Sequence, residues 1–173
     1  MKAVLMSIQP KWCELIASGK KTVEVRKTQP KLEVPFKVYI YETKDKRYEN
    51  IGVCGWKKDG TKYIFKNHCG KVIGEFVCDA IFPLSCYYSD TNAWFVHSEQ
   101  PFTCLTDKEM IDYLGNGVEG YGWHITDLVI HDEPRELGEF VYSSTIYKKV
   151  FGDNRRVTRP PQSWCYVEEV TND

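Results

Sequence analysis

The 173-residue chain lacks any apolar run approaching the roughly 18 residues of a membrane span, which excludes a transmembrane helix. Its opening, MKAVLMSIQPKW, has a lysine but too short an apolar stretch and no small-residue cleavage site, so no secretory leader is expected. C-x-x-C spacing is absent, although seven cysteines are present. An odd count without a leader argues against a disulfide framework and predicts free thiols in a cytoplasmic protein. His68, Cys69 and Cys54 lack the paired spacing of a zinc finger, and His97, His124 and His131 form no H-x-x-x-H. No metal and no other cofactor is therefore expected. Repeats and low-complexity tracts are missing too. So is an excess of one charge: the formal net charge is -1, and nothing global predicts a polyanionic partner.

What is present fits one globular domain over residues 1–173: 42% hydrophobic, 27% charged and 14% aromatic. The charge is uneven. Residues 1–40 hold eight Lys/Arg and three Glu, a net of +5, and the other 133 residues carry -6. A basic N-terminal third fits one face of a nucleic-acid site, or a surface balanced in three dimensions.

Residues 3–8, AVLMSI, read as a buried strand. Pro10 opens a helix in which Trp12, Leu15 and Ile16 share an apolar face, and Gly19 stops it. Residues 22–27 alternate, with Val23 and Val25 toward the core and Thr22, Glu24 and Arg26 away from it. Further strands are predicted at 36–42, 71–82, 123–132 and 163–170, with Gly74 marking a bulge or a close approach. Thr106 and Glu109 form a capping box for a helix that ends at Gly115. Residues 115–120, GNGVEG, match G-x-G-x-x-G, but follow a helix and lead into a strand, so they read as a connection. Residues 43–70 and 83–105 read as insertions, the first with an Asp59-Gly60 hairpin turn. The class is α+β, mainly β: a small β-barrel of about five or six strands with two or more short flanking helices.

The run 18-SGKKTVEVRK-27 is the densest in chemistry. Glu24 and Arg26 lie on one strand face about 6.6 Å apart, and Lys21 sits just before them. This is either an exposed strand with a weak ion pair or a converging site. Trp123 and Trp164 each begin a late strand, to stack a base at the barrel mouth or to cap the core. Arg155, Arg156 and Arg159 sit in a loop that can meet phosphates or simply face water.

G-x-K-x-x-E-x-R stands here as Gly19, Lys21, Glu24 and Arg26. With LMSIQPKW, GKVIGEFV, WHITDLVIHD followed by PRELGEF, and the closing RPPQSWCYVEE, it resembles the ASCH domain family of the PUA-like superfamily, in its bacterial or phage single-domain form. The resemblance implies a cleft between barrel and first helix that binds RNA, a modified nucleotide or a nucleoside through Lys21, Glu24 and Arg26. One similar branch hydrolyses the amide of N4-acetylcytidine with a lysine, a threonine and a later glutamate. Lys21 and Glu75 match two of these, while Glu24 stands where that branch has threonine. If this chain is an enzyme, the resemblance thus implies Lys21, Glu24 and Glu75 as its catalytic residues. A third reading is a protein-interaction domain using the aromatic stretch 83–105.

Overall fold

The computed structural model describes residues 1–57, 59–85, 87–88, 94–95, 100–115, 119–143 and 155–170. In chain order, β1 (Lys2–Ile8) and α1 (Pro10–Ala17) lead to β2 (Val23–Arg26) and β3 (Phe36–Glu42). The hairpin β4 (Gly52–Trp56) and β5 (Lys62–Lys66) follows, then β6 (Val72–Cys78), β7 (Ile81–Ser85), β8 (Tyr87–Tyr88) and β9 (Trp94–Phe95). Next come α2 (Gln100–Thr103), α3 (Asp107–Leu114), β10 (Glu119–His124), β11 (Thr126–Arg135), a 3-10 turn at Leu137–Glu139, and β12 (Trp164–Glu168). None of these helices is long and apolar enough to cross a membrane.

The centre is a five-stranded sheet in the order β11-β6-β3-β1-β12. Every residue of β1 after Lys2 is buried, as befits a strand covered on both faces. It runs parallel to β3 and antiparallel to β12. A second sheet has the order β2-β10-β7. The two long strands expected at 71–82 and 123–132 each break where the chain passes from one sheet to the other. Asp79 and Ala80 divide β6 from β7, and Ile125 divides β10 from β11. His124 N–H donates to Ala80 O at 3.0 Å and ties these two corners together. Corners let one strand serve two sheets without leaving its polar groups unpaired. They divide two long strands, and residues 43–70 and 83–105 add the β4–β5 and β8–β9 pairs. So the described residues hold twelve strands in four sheets, where five or six were expected.

The main core fills the space between the two sheets. Met6, Val38, Ile40 and Phe76 of the large sheet meet Trp123 of the small one and Cys13 and Ile16 of α1. The outer face of β2–β10–β7 is covered by α3, where Val25 and Leu84 pack on Met110 and Leu114. Gly74 is dictated by a close approach: a Cβ there would lie 2.4 Å from Val129 O, beside a register shift between β6 and β11. The capping box of α3 forms as expected, with Thr106 and Glu109 satisfying each other's backbone N–H groups. Residues 86, 89–93 and 96–99 of the aromatic stretch, and 116–118 of the GNGVEG connection, lie outside the described residues.

Candidate functional site

The site begins where α1 ends. Gly19 takes φ +71°, a left-handed conformation that suits glycine at a helix stop. The Lys20 and Lys21 N–H groups both return to Leu15 O at 3.0 Å, a tight closing turn that sends the next side chain inward. Lys21 is consequently 1% exposed. Its ammonium donates to Val23 O at 2.8 Å and to Thr103 O at 2.6 Å. Its charge also lies 3.3 Å from Glu24 Oε2. Burial pulls the Lys21 pKa below its ordinary value, and the neighbouring Glu24 carboxylate opposes that pull.

Along β2 the alternation holds, but the polar side does not face water. Glu24 pairs in register with Trp123, and Arg26 with Tyr121. Trp123 belongs to the main core, so Glu24 and Arg26 occupy the inner face of the small sheet. They are 5% and 6% exposed, which removes the reading of an open strand with a weak surface pair. Arg26 Nη2 donates to Glu24 Oε1 at 2.9 Å and to Ser7 O at 2.8 Å. The trio carries two positive charges and one negative. One donor and one acceptor in it stay free of hydrogen bonds, namely Arg26 Nε and Glu24 Oε2. Lys21, 3.3 Å from Oε2, gives that oxygen an ionic partner at a distance longer than an ordinary charge-assisted hydrogen bond. A buried, unsatisfied pair of this kind costs stability unless something completes it.

A cleft of about 500 Å³ opens above the trio. Trp12 of α1 and Tyr113 of α3 line it. The Lys11 and Lys21 ammonium groups stand 4.1 and 5.2 Å from the Trp12 ring centre, and Lys27 stands 5.5 Å from that of Tyr113. At the rim, Lys11 of α1 and Glu109 of α3 form an ion pair at 2.8 Å. Lys11, with the Thr106 N–H, pulls the Glu109 pKa down to about 2.

Lys21, Glu24 and Arg26 therefore come together, and the other candidates do not join them. Glu75 pairs with Lys37 at 2.9 Å. It lies in register with Tyr39, which faces a second core away from the cleft. Trp123 is 0% exposed and packs edge-on against Phe36, so it caps the core and offers no free ring. Trp164 donates to Thr28 Oγ1 at 3.1 Å and packs on Trp123 and Tyr166 rather than lining the cleft. Arg156 donates to Gly138 O at 2.8 Å, and Arg155 stands over the Tyr142 ring at 5.7 Å. Arg159 is exposed, and none of these three arginines lines the cleft. The residues that do frame it, Trp12, Tyr113, Lys11 and Glu109, were not singled out by the sequence. Trp12 read as core because it shares a helical face with Leu15 and Ile16, and the capping box alone accounted for Glu109.

The six described cysteines are free thiols. Cys13, near the trio, is pushed well above the ordinary thiol range by burial, then by the Glu42 and Glu24 carboxylates, so it is no thiolate nucleophile. Ser7 lines the cleft, but its hydroxyl donates to Pro161 O at 2.7 Å.

Comparison with known proteins bears on the same segment. The ASCH domain family model matches residues 6–95. Among solved structures, the chain is similar to an ASCH protein of Zymomonas mobilis, with a TM-score of 0.59 at 19% identity over 96% of this chain and 88% of that one. A mutant ASCH protein of the same organism gives 0.58 at 19% identity, over 98% and 92% of the two chains. These likenesses speak for the fold. No curated protein matches the sequence.

Proposed function

Because the chain belongs to the ASCH domain family, a PUA-like group linked in general to nucleic-acid binding, we propose that its Lys21–Glu24–Arg26 cleft binds a base of RNA or of a modified nucleotide. One observation carries this reading: a buried donor, Arg26 Nε, and a buried acceptor, Glu24 Oε2, lack hydrogen bonds within one ion-paired trio under a cleft of about 500 Å³. That volume is ordinary for a small-molecule site. A cytosine-type edge supplies what is missing. Its exocyclic amine donates to the carboxylate, and its ring carbonyl accepts from the guanidinium. The ring itself lies between Trp12 and Tyr113, where stacking is worth about 1–3 kcal/mol per base. Lys21 acts by holding Glu24 in place. Its ammonium is committed to two backbone carbonyls and to the Glu24 carboxylate.

Amide hydrolysis of an acylated cytidine draws no support from this geometry. Glu24 is clamped between two cations, and Glu75 is engaged by Lys37 elsewhere. Titration of the protein with cytidine, N4-acetylcytidine, uridine and a single-stranded RNA, followed by NMR, tests the binding reading. Shifts at Trp12, Glu24 and Arg26, abolished by Arg26→Met, are expected. Silence at these residues with all four probes sinks it. Release of acetate from N4-acetylcytidine that depends on Lys21 would restore the hydrolase reading.

A further inference from the structure

The β4–β5 hairpin inverts the usual order of burial. Its register pairs Trp56 with Lys62, Cys54 with Ile64 and Gly52 with Lys66. The two-residue period of a strand then places all six on one face. All six are exposed, and Trp56 and Ile64 are 71% and 76% exposed. The opposite face holds Val53, Tyr63 and Phe65, which pack on the main core. The hairpin is therefore anchored, not frayed. Asn67 at its end donates to Glu14 of α1 at 2.7 Å, and Gly55 leaves room for the Tyr63 ring, which would meet a Cβ at 2.9 Å. A fixed scaffold thus presents a large aromatic ring to solvent, which no packing requirement explains.

The charge of the segment that carries the ring is predominantly positive. Residues 43–70 carry seven Lys/Arg and three Asp/Glu, a net of +4 in a chain whose total is -1. Lys62 and Lys66 flank Ile64 on the outer face, and neither takes part in an ion pair among the described residues. Lys66 also lowers the pKa of His68, after burial, so its field reaches the hairpin base. An exposed ring set among unpaired lysines complements a polyanion whose bases offer π faces. We infer that the β4–β5 hairpin is a second contact surface, for single-stranded nucleic acid. Trp56 stacks a base there, and Lys62 and Lys66 meet phosphates of the same strand. A lipid surface is the weaker match. Trp56, Ile64 and the small Cys54 are the apolar side chains of this face, so little apolar area is available for insertion. The inference stands independently of the cleft, since it needs no residue of the trio.

The test uses the whole chain and a fluorescein-labelled oligouridylate of about twelve nucleotides, within the usual site sizes for strand binders. Anisotropy is read between about 50 and 200 mM salt, where phosphate contacts declare themselves. Trp56→Ala is expected to weaken binding about tenfold. The double change Lys62→Gln and Lys66→Gln should reduce the slope of log affinity against log salt by about 1.4, or about 0.7 per lost phosphate contact. Both variants should bind free cytidine as the parent chain does. All three substituted side chains face solvent, so an unchanged thermal midpoint accompanies the supporting result. Equal strand binding by parent and hairpin variants overturns the inference, as does no strand binding at all. Hairpin-dependent binding confined to a duplex or to vesicles of phosphatidylserine and phosphatidylcholine overturns it in favour of those partners. Loss of cytidine binding with hairpin-dependent strand binding intact would remove the cleft reading and leave this one standing.

Discussion

β2 and the β4–β5 hairpin break the rule of burial in opposite directions. β2 holds a carboxylate and a guanidinium at 5% and 6% exposure, whereas the hairpin holds a tryptophan and an isoleucine at 71% and 76%. Both are alternating strands, so periodicity predicts charge outside and apolar side chains inside for each. The difference lies in what covers them. β2 is sandwiched between the main core and α3, so it has no solvent face to give its polar residues. Among the described residues the hairpin pairs only with itself, and none of them covers its second face. Burial of charge is tolerated at β2 because Glu24 lies between two cations that also donate to backbone carbonyls. Exposure of Trp56 is tolerated because Phe65 on the other face supplies the anchoring. A strand that violates its own pattern at a stability cost is where function is most readily sought.

The comparison is broken most severely at Glu24. Glu24→Ala leaves Lys21 and Arg26 buried without their counter-charge and should cost about 3–5 kcal/mol in denaturant-induced unfolding. A loss below about 1 kcal/mol would mean that water enters the cleft floor and that the trio is not buried in solution.

A smaller effect comes from the polar cluster under the hairpin base. Glu42 is fully buried, and desolvation raises its pKa from 4.5 to about 7, against the pull of the His68 N–H that donates to it. Between those values the native state binds more protons than the unfolded chain. Stability should therefore fall as pH rises from about 4.5 through 7, by at most about 3 kcal/mol. Glu42→Gln mimics the protonated carboxyl, so the difference in stability between variant and parent should widen over that window. A constant difference between pH 5 and 8 would contradict the assignment.

Much of this arrangement was legible beforehand, and the misreadings have physical causes. The helix from Pro10, its stop at Gly19, the capping box of α3 and the Asp59-Gly60 turn are local features, and each forms. Lys21, Glu24 and Arg26 could be picked out, but not their burial. That depends on tertiary contacts such as Arg26 to Ser7 O and Lys21 to Thr103 O, the latter between segments some eighty residues apart in sequence. For Trp123 the core-capping alternative holds, and Trp12 packs on the main core as its helical face predicts but also lines the cleft. Which alternative a strand residue beside a glycine-rich loop takes, and what else a helix's apolar face touches, are set by packing. Glu75 matched a glutamate by its place in the chain, yet its face of the sheet was fixed by pairing with Tyr39 and Val129. Face and partner are tertiary facts that spacing alone does not carry.

At the cleft rim, the Lys11–Glu109 pair should contribute no more than about 1 kcal/mol, since both side chains are substantially exposed. Glu109 is depressed in the folded state, so its contribution is present above about pH 4.5 and is lost as pH falls toward 2. Lys11→Ala should move the Glu109 carboxyl titration upward in an NMR experiment. The Thr106 N–H, still donating to Glu109 at 3.0 Å, should keep it below the ordinary range. An unmoved titration would show that the pair does not span the rim in solution.

The smallest expected effect is also the sharpest test of the contrast. Trp56→Ala removes the largest exposed ring of the hairpin, yet it should change stability by less than about 0.5 kcal/mol, because the ring contacts mainly water. Glu24→Ala removes a smaller side chain and should cost several times more. If Trp56→Ala instead cost 2 kcal/mol or more, the ring would have to be covered in solution. A second copy of the chain would then be the natural cover, and the thermal midpoint of the parent protein would rise with concentration. A midpoint independent of concentration, together with a near-neutral Trp56→Ala, leaves the ring free for a ligand. The two strands would then differ as described: one burying charge for a base in a cleft, the other exposing a ring for a strand passing over it.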